Sequence, residues 1–218
     1  MVATPVQNKL KVIITDDHRI VRAGIKQIVE DCPEMAPVDE ASDGQELLAK
    51  VRKNHYDAIL LDLSMPGRDG LEILKQLKSE KCKAPVLILS VHPEEQYAIR
   101  ALKSGAAGYL TKSTAPEELI EAIKKISAGK KYITPALADH LAANIDSETD
   151  KPLHERLSDR ELQILCKIAS GSTVSLIAGQ MFLNVKTVGT YRRRILDKMG
   201  MKSNAELTHY AIKNNLVC

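Results

Sequence analysis

The sequence has no tryptophan, one phenylalanine and only four cysteines, Cys32, Cys82, Cys166 and Cys218. With so few aromatic rings, the stacking surfaces that bind single-stranded nucleic acid are not expected. The absence of a Cys-x-x-Cys pair argues against a zinc site or a disulfide framework and favours a reducing compartment. No apolar run reaches the roughly 20 residues of a membrane-spanning helix, and residues 1–9 lack the apolar segment of a secretion signal. These absences predict a cytoplasmic protein with no membrane partner.

Charge is distributed unevenly along the 218 residues. Residues 1–129 hold 18 Lys and Arg against 19 Asp and Glu, whereas residues 152–218 hold 10 against 5. The net charge of +3 therefore comes from a basic final third. A basic module behind a nearly neutral one indicates a polyanionic partner.

Short apolar runs alternate with amphipathic stretches over residues 1–129, which we predict to form one domain. The predicted strands are Lys11–Thr15, Pro37–Ala41, Ala58–Asp62, Val86–Ser90 and Gly108–Thr111. The predicted helices are Ile20–Val29, Gly44–Lys53, Leu71–Ser79, Glu94–Ser104 and Pro116–Ala128. Five strands alternating with five helices predict a parallel sheet covered on both faces. In such α/β folds ligands bind beyond the carboxyl ends of the strands.

The pattern changes after Gly129. Residues 130–152 predict a linker with one short helix inside Tyr132–Ile145, followed by the polar and acidic segment Asn144–Leu153. Residues 153–218 predict a second, all-α domain of four helices. The first begins at the capping box of Ser158 and ends at Gly171, and the others span Val174–Met181, Val185–Met199 and Asn204–Asn214. Asn184 and Ser203 are predicted N-caps, and Gly200 is a predicted helix stop.

Polar side chains stand at the carboxyl ends of the predicted strands of the first domain. They are Asp16, Asp17, Asp62, Ser90 and Lys112. Because the carboxyl ends of parallel strands lie along one edge, we expect these five residues to meet in one crevice. Three carboxylates in one crevice repel one another unless a cation neutralises them, and Mg²⁺ favours such oxygen ligands.

A cluster of this composition permits phosphoryl transfer to a carboxylate oxygen, which forms an acyl phosphate. Mg²⁺ and Lys112 would offset the charge of the transferred group, and the Ser90 hydroxyl could donate a hydrogen bond to it. The alternative is that each aspartate only caps a following helix. That alternative suits Asp16 and Asp17 better than Asp62, which a loop follows.

Four segments in this order resemble the receiver domain of two-component response regulators. They are Ile14–His18, Leu60–Gly70, Leu87–Ser90 and Gly108–Lys112, within a resemblance that covers roughly residues 9–129. The resemblance implies a flavodoxin-like doubly wound (βα)5 fold with Asp62 as the phosphoacceptor. It also implies that Asp17, Asp62 and the Ser64 backbone carbonyl bind Mg²⁺, that Asp16 assists through water, and that Lys112 pairs with the phosphoryl oxygens.

The same resemblance assigns Ser90 and Tyr109 as a switch pair, in which the hydroxyl moves toward the phosphoryl group and the ring turns inward behind it. Ser64 and His92 occupy positions that affect acyl-phosphate hydrolysis in receivers. His92 either orients the attacking water or is an exposed loop side chain. Ser113 departs from the receiver pattern, because many receivers have a cis-linked Pro there.

The helix predicted over Val185–Met199 has two distinct faces. Val188, Ile195 and Met199 share the face that we expect to dock on the domain core. The opposite face and its borders hold Lys186, Gly189, Thr190, Tyr191, Arg192, Arg193 and Arg194. A short turn joins this helix to the preceding one, as in a helix-turn-helix. A helix so presented fits the major groove of double-stranded DNA, whereas the alternative is a basic face in contact with solvent only.

Residues 153–217 resemble the LuxR-type helix-turn-helix, carried by Leu157–Leu165, Val185–Gly200 and Ser203–Leu207. By this resemblance Gly189, Thr190 and Arg193 face bases, and the fourth helix makes a dimer contact. The residues assigned to phosphates are Lys186, Thr187, Tyr191 and Arg192, and Arg194 flanks the same stripe. Gly179 and Gly189 depart from the pattern, which usually has larger residues there.

Both resemblances together indicate a response regulator of the NarL/FixJ type. They imply a transcriptional regulator whose phosphorylation by a sensor histidine kinase controls dimeric binding to promoter DNA, with RNA polymerase as a further candidate partner. Phosphorylation would either free the basic module or pair two receivers. The receiver would catalyse only its own phosphoryl transfer and dephosphorylation. The alternatives are a Mg²⁺-dependent phosphatase, for which no insertion long enough for a substrate cap exists, and a regulator that binds DNA constitutively.

Overall fold

The computed structural model of the chain describes residues 9–65, 69–139, 152–214 and 216–217. The chain divides into two compact units, residues 1–141 and 142–218. Residues 135–139 are helical, within the short helix predicted over Tyr132–Ile145. The rest of that helix and the linker up to residue 151 lie outside the described residues.

The first unit contains a five-stranded parallel sheet in the order β2-β1-β3-β4-β5. Its strands are β1 (Val12–Thr15), β2 (Asp39–Ala41), β3 (Ala58–Asp62), β4 (Val86–Ser90) and β5 (Gly108–Thr111). Its helices are α1 (Arg19–Glu30), α2 (Gly44–Val51), α3 (Gly70–Ser79), α4 (Glu94–Lys103) and α5 (Pro116–Ser127). The strand order is that of a flavodoxin-like doubly wound fold, so the predicted fold class is confirmed.

Apolar side chains fill both faces of the sheet. Val12 and Ile14 of β1 pack in one cluster with residues of α1 and α5 such as Val29 and Ile123. Ile13, which points the other way from the same strand, is fully buried as well. Strands buried on both faces are typical of a parallel sheet covered by helices on each side.

Strand β2 is two residues shorter than the predicted Pro37–Ala41. Pro37 has no N–H to donate to a neighbouring strand. The N–H of Val38 donates to the Glu30 carboxylate at 2.9 Å instead of to the sheet. Pairing with β1 therefore begins at Asp39.

The segment after α5, which we predicted as linker, packs against the sheet at its first residues. The Tyr132 N–H donates to the Ala107 carbonyl at 2.8 Å, and Tyr132 forms a parallel bridge with Gly108 beside β5. The Thr134 hydroxyl donates to Glu94 at the start of α4, at 2.7 Å. These contacts extend the first unit beyond α5.

The second unit is helical throughout its described elements. A 3-10 turn, Leu153–Arg156, precedes α6 (Asp159–Ala169), α7 (Val174–Gln180), α8 (Val185–Met199) and α9 (Asn204–Lys213). Side chains cap the helices as predicted: Ser158 and Glu161 form the capping box, and Asn184 and Ser203 accept from the first turns of α8 and α9. Gly200 ends α8 in the left-handed conformation, with φ 66°.

Glu161 is a buried carboxylate that joins two helices of this unit. It bonds to Lys198 of α8 at 2.6 Å and to the Ser158 N–H at 2.7 Å. Burial acts to raise the pKa of Glu161, but the bonds from Lys198 and Ser158 outweigh burial and hold that pKa below its usual value.

Among the described residues, Cys32, Cys82 and Cys166 form no disulfide. No helix in the described ranges combines the length and apolar character needed to cross a membrane.

Candidate functional site

The sheet brings three aspartates together at its carboxyl edge. Asp16 and Asp17 follow β1, and Asp62 is the last residue of the neighbouring strand β3. Asp16 and Asp62 are each only 1% exposed. One potential ligand atom from each aspartate and one from His18 lie within 4.8 Å of one another. This grouping is compact enough to hold one cation.

Backbone N–H groups orient two of these carboxylates. Asp62 accepts from the Ser64 N–H at 3.1 Å, in the loop after β3. Asp16 accepts from the His18 N–H at 2.8 Å, just before α1. This bond reaches only the residue before α1, whose N-cap makes no side-chain cap bond, so the capping alternative is not confirmed for Asp16. The second oxygen of Asp16 contacts Lys112.

Lys112 is the cation that the fold brings to the buried carboxylates. Its ammonium lies 2.6 Å from Asp16 Oδ2 and 2.8 Å from Asp62 Oδ2, and its side chain is 11% exposed. Burial raises the pKa of Asp62, and Lys112 opposes that rise only in part. Burial acts to lower the pKa of Lys112, but the two carboxylates outweigh it and the net shift is upward. One ammonium thus faces two buried negative charges, with the Asp17 carboxylate beside them.

Ser90 is the last residue of β4 and Tyr109 lies within the neighbouring strand β5, and both are fully buried. The Tyr109 hydroxyl donates to the His92 carbonyl at 2.8 Å. The Ser90 hydroxyl oxygen accepts from the His92 N–H at 3.1 Å. The Ser90 carbonyl accepts from the Lys112 N–H at 2.8 Å. The backbone of His92 therefore connects the serine and the tyrosine, and the Ser90 carbonyl connects β4 to the strand end that carries the lysine.

His92 is partly buried, so it is better packed than the exposed loop side chain that was one of the two alternatives from sequence. Its ring stacks on the buried Tyr97 ring with centroids 4.7 Å apart. Its Nε2 lies 3.3 Å from the Ser64 hydroxyl, which joins the loops after β3 and β4. The peptide bond between Lys112 and Ser113 is trans, so the cis bond of many receivers is not formed here.

The second unit presents a basic helix face to solvent. Val188, Ile195 and Met199 of α8 are buried against the core, as predicted from their spacing. Lys186, Thr187, Thr190, Arg193 and Arg194 are exposed, and Gly189, Tyr191 and Arg192 are partly buried. The Arg192 guanidinium donates to the Asn204 side chain at 2.6 Å, which ties α8 to the first residue of α9.

The two unusual glycines of this unit have open surroundings. A Cβ atom placed on Gly179 or Gly189 would meet nothing within 4 Å. Packing therefore does not require glycine at either position.

Two family models match the chain in the same order as the two units. The model described as response regulator receiver domain matches residues 12–124. The model described as bacterial regulatory proteins, luxR family, matches residues 155–211. This chain is a two-component response regulator of the NarL/FixJ type. It combines a receiver with a DNA-binding LuxR-type domain, as predicted.

Full-length relatives support this assignment of the response regulator. Response regulator UvrY of Escherichia coli K12 is 38% identical over 208 residues, which cover 95% of each chain. Response regulator GacA of Pseudomonas aeruginosa is 36% identical over 210 residues, covering 95% of this chain and 98% of GacA.

Solved structures similar to the regulator include two of RcsB. RcsB from Salmonella enterica serovar Typhimurium, bound to promoter rprA in the presence of phosphomimetic BeF3⁻, has a TM-score of 0.65 at 25% identity and covers 93% of this chain and 98% of its own. An RcsB–DNA complex has a TM-score of 0.56 at 27% identity with the same coverage.

The structure of the regulator adds His18 to the predicted acidic cluster. Its Nδ1 lies 3.1 Å from Asp17 Oδ1 and 3.5 Å from Asp16 Oδ1, and its side chain is 64% exposed. The sequence placed His18 directly after the two aspartates, at the end of the receiver-like segment Ile14–His18, but we did not predict it as part of the cluster. The sequence signal that could have identified His18 was its position directly after Asp16 and Asp17, the two candidate metal ligands.

Proposed function

We propose that this protein is a phosphorylation-dependent DNA-binding regulator of transcription, in which Asp62 accepts a phosphoryl group from a sensor histidine kinase. The observation that carries the proposal is the pairing of Lys112 with the buried Asp16 and Asp62, beside the partly buried Asp17, at the carboxyl edge of the sheet. A charge distribution of this kind is a recurrent mark of functional sites. We place its action in the cytoplasm, where the kinase domain and promoter DNA would both be accessible.

The proposed transfer moves a phosphoryl group from a phosphohistidine nitrogen to Asp62. A carboxylate oxygen of Asp62 attacks phosphorus, the new P–O bond forms as the P–N bond breaks, and the departing imidazole nitrogen takes up a proton. Lys112 is positioned to pair with the transferred phosphoryl oxygens, since its ammonium already lies 2.8 Å from Asp62 Oδ2. The Ser90 hydroxyl can donate a further hydrogen bond once it leaves the His92 N–H. The receiver thus catalyses only its own phosphorylation and dephosphorylation.

The residues present fit Mg²⁺ as the cofactor. Carboxylate oxygens are its preferred protein ligands, and Asp16, Asp17 and Asp62 offer several within a compact space. Lys112 supplies only one positive charge against these three carboxylates. We propose Asp17, Asp62 and the Ser64 backbone carbonyl as ligands, with Asp16 acting through water. Bound Mg²⁺ would supply positive charge that offsets the charge on the phosphoryl oxygens.

The proposed switch runs through Ser90 and Tyr109. In the structure both are held at the backbone of His92, through the Ser90 oxygen and the Tyr109 hydroxyl. Movement of the Ser90 hydroxyl toward a phosphoryl group breaks its bond with the His92 N–H. The loop between β4 and α4 is then free to adopt a second arrangement, which is the surface change that phosphorylation would stabilise.

The output of the switch is binding of double-stranded promoter DNA by α8. The exposed Lys186, Thr190 and Arg193 present one side of this helix, and the buried Val188 anchors the other. We propose that Gly189, Thr190 and Arg193 face bases, whereas Lys186, Thr187, Tyr191 and Arg192 contact phosphates, flanked by Arg194. A dimer on two half-sites and a contact with RNA polymerase complete the proposal.

Intact mass measured after incubation with acetyl phosphate and Mg²⁺ tests the acceptor site. We expect one added phosphoryl group on the unaltered chain and none on Asp62→Asn. The matched control is Asp57→Asn, because Asp57 lies just before the amino end of β3, away from the carboxyl edge where Asp62 lies. Phosphorylation of Asp62→Asn, or its loss in Asp57→Asn, would contradict the assignment. Steady hydrolysis of phosphate esters would instead favour the phosphatase alternative.

A further inference from the structure

Arg22 of α1 connects the backbone of the acidic cluster to the edge strand of the sheet. Its Nη1 donates to the Asp16 carbonyl oxygen at 2.7 Å, and its Nε donates to Glu40 Oε2 of β2 at 2.9 Å. The Arg22 side chain is only 14% exposed. The guanidinium therefore spans two acceptors from different elements while it lies largely out of solvent.

The carbonyl that accepts from Arg22 belongs to the peptide unit between Asp16 and Asp17. This peptide lies beyond the last residue of β1, Thr15. On the other side of Asp16, the Asp16 N–H donates to the Ala41 carbonyl of β2 at 3.3 Å. Because a peptide unit is planar, holding its oxygen fixes the direction in which the Asp17 backbone leaves it. Arg22 thus restrains the backbone that carries both aspartates.

We propose that Arg22 is a positioning residue, which holds the Asp16–Asp17 peptide so that both carboxylates point into the cation site. The proposal rests on the proposed function, because it takes these aspartates as Mg²⁺ ligands. Groups that orient metal ligands typically change metal affinity 10- to 100-fold when they are removed. We therefore expect Arg22→Met to weaken Mg²⁺ binding by about 10-fold or more.

Electrostatics alone predicts a change of the opposite sign. Arg22 carries a positive charge on the element that follows the cluster, and a positive charge disfavours binding of a second cation. Its removal would therefore strengthen Mg²⁺ binding if charge were its main contribution. The direction of the change in affinity consequently distinguishes positioning from a charge effect.

Lys26 provides a matched control one turn further along α1. Its ammonium donates to Glu40 Oε1 at 2.8 Å, so it pairs with the same carboxylate as Arg22. The structure gives it no bond to the Asp16 carbonyl among the described contacts. Lys26→Met thus removes a cation from Glu40 and leaves the peptide of the aspartates held. A role of Arg22 in pairing with Glu40 alone would make the two variants behave alike.

Calorimetric titration of the full chain with MgCl2 at constant ionic strength is the test, with the unfolding temperature without Mg²⁺ recorded for each variant. We expect Arg22→Met to bind about 10-fold more weakly and Lys26→Met to bind at least as tightly as the unaltered chain. Arg22→Lys keeps the charge, but one ammonium cannot reproduce both bonds of the guanidinium. We expect Arg22→Lys to bind Mg²⁺ weakly as well. If Arg22→Met does not fold, Arg22→Lys replaces it in the comparison with Lys26→Met.

Three results would overturn the inference. Mg²⁺ binding by Arg22→Met or Arg22→Lys that is as tight as in the unaltered chain would show that the guanidinium does not position the ligands. Equal weakening in Lys26→Met would assign the effect to the Glu40 pair. Absence of Mg²⁺ binding by the unaltered chain would refute the proposed metal site itself, and the inference with it.

Discussion

Gly70 offers a sharp test of how rigidly the fold holds the phosphoacceptor. This residue begins α3 and lies close to the backbone of Asp62 and Leu63 at the end of β3. A Cβ atom at Gly70 would lie 2.3 Å from the Asp62 carbonyl oxygen and 2.7 Å from Leu63 Cα. Ordinary contact begins near 3.4 Å, so the start of α3 and the backbone of Asp62 would have to separate by about 1 Å. Both partners are backbone and neither can turn away.

We predict that Gly70→Ala lowers the free energy of unfolding by about 1–3 kcal/mol, the usual effect of overpacking a well-packed site. Gly24→Ala is the matched control, because a Cβ on this glycine of α1 would meet nothing within 4 Å. Replacing a mid-helix glycine by alanine there should stabilise by about 1 kcal/mol. Each variant adds one methyl group to the unaltered chain. Opposite signs of the change in the free energy of unfolding would therefore isolate the contact with the Asp62 backbone.

Thermal unfolding of the full chain and the rate of modification by acetyl phosphate measure the two consequences. In Gly70→Ala we expect a lower unfolding temperature and slower phosphorylation, because the displaced backbone carries Asp62 and leads to Ser64. In Gly24→Ala we expect a higher unfolding temperature and an unchanged rate. A Gly70→Ala protein as stable and as reactive as Gly24→Ala would refute the claim that a tightly packed backbone positions the acceptor.

Three further predictions concern the second unit. Burial acts to raise the pKa of Glu161, but the bond from Lys198 outweighs it and holds that pKa below its usual 4.5. The contribution of the ionised Glu161 to stability is therefore present above about pH 4.5 and is lost as the pH falls further. Unfolding of the unaltered chain and of Glu161→Gln across pH 3–7 should show a weaker acid dependence in the variant, and parallel profiles would contradict this. Arg193→Ala should cost about 1–3 kcal/mol of binding to a specific site and relax its sequence preference, whereas Lys186→Ala should weaken binding to all sequences and reduce the salt slope by about one. Binding isotherms at several salt concentrations would refute these roles if both variants lost affinity evenly across sequences. Gly179→Ala should stabilise by up to about 1 kcal/mol with unchanged DNA affinity, since a Cβ there meets no atom within 4 Å; a fall in unfolding temperature would contradict the open environment.

Periodic patterns predicted most of the fold because they report burial directly. The alternating apolar and amphipathic segments located the five strands of the sheet and helices α1 to α5, and capping residues located the starts of α6, α8 and α9. The strand β2 was predicted to begin too early because valine has a high strand propensity, which made Val38 look like a strand residue. Its N–H bonds instead to Glu30, which is eight residues earlier in the chain and belongs to α1.

Sequence patterns likewise placed some residues of the candidate site and not others. Asp16, Asp62 and Lys112 could be placed together from sequence, because the carboxyl ends of parallel strands share an edge. Arg22 could not, since its two acceptors, the Asp16 carbonyl and Glu40, become neighbours only when β2 pairs with β1. The packing of His92 on Tyr97 is likewise a product of tertiary structure, because no short motif specifies that ring contact.

The central claim is that a phosphoryl group on Asp62 controls DNA binding. Its most direct test is the affinity of the full-length protein for a panel of promoter fragments, with and without acetyl phosphate and Mg²⁺, on the unaltered chain and on Asp62→Asn. We predict tighter, fragment-selective binding only when the unaltered chain is phosphorylated. Equal affinity before and after phosphorylation, or the same gain in Asp62→Asn, would contradict the claim.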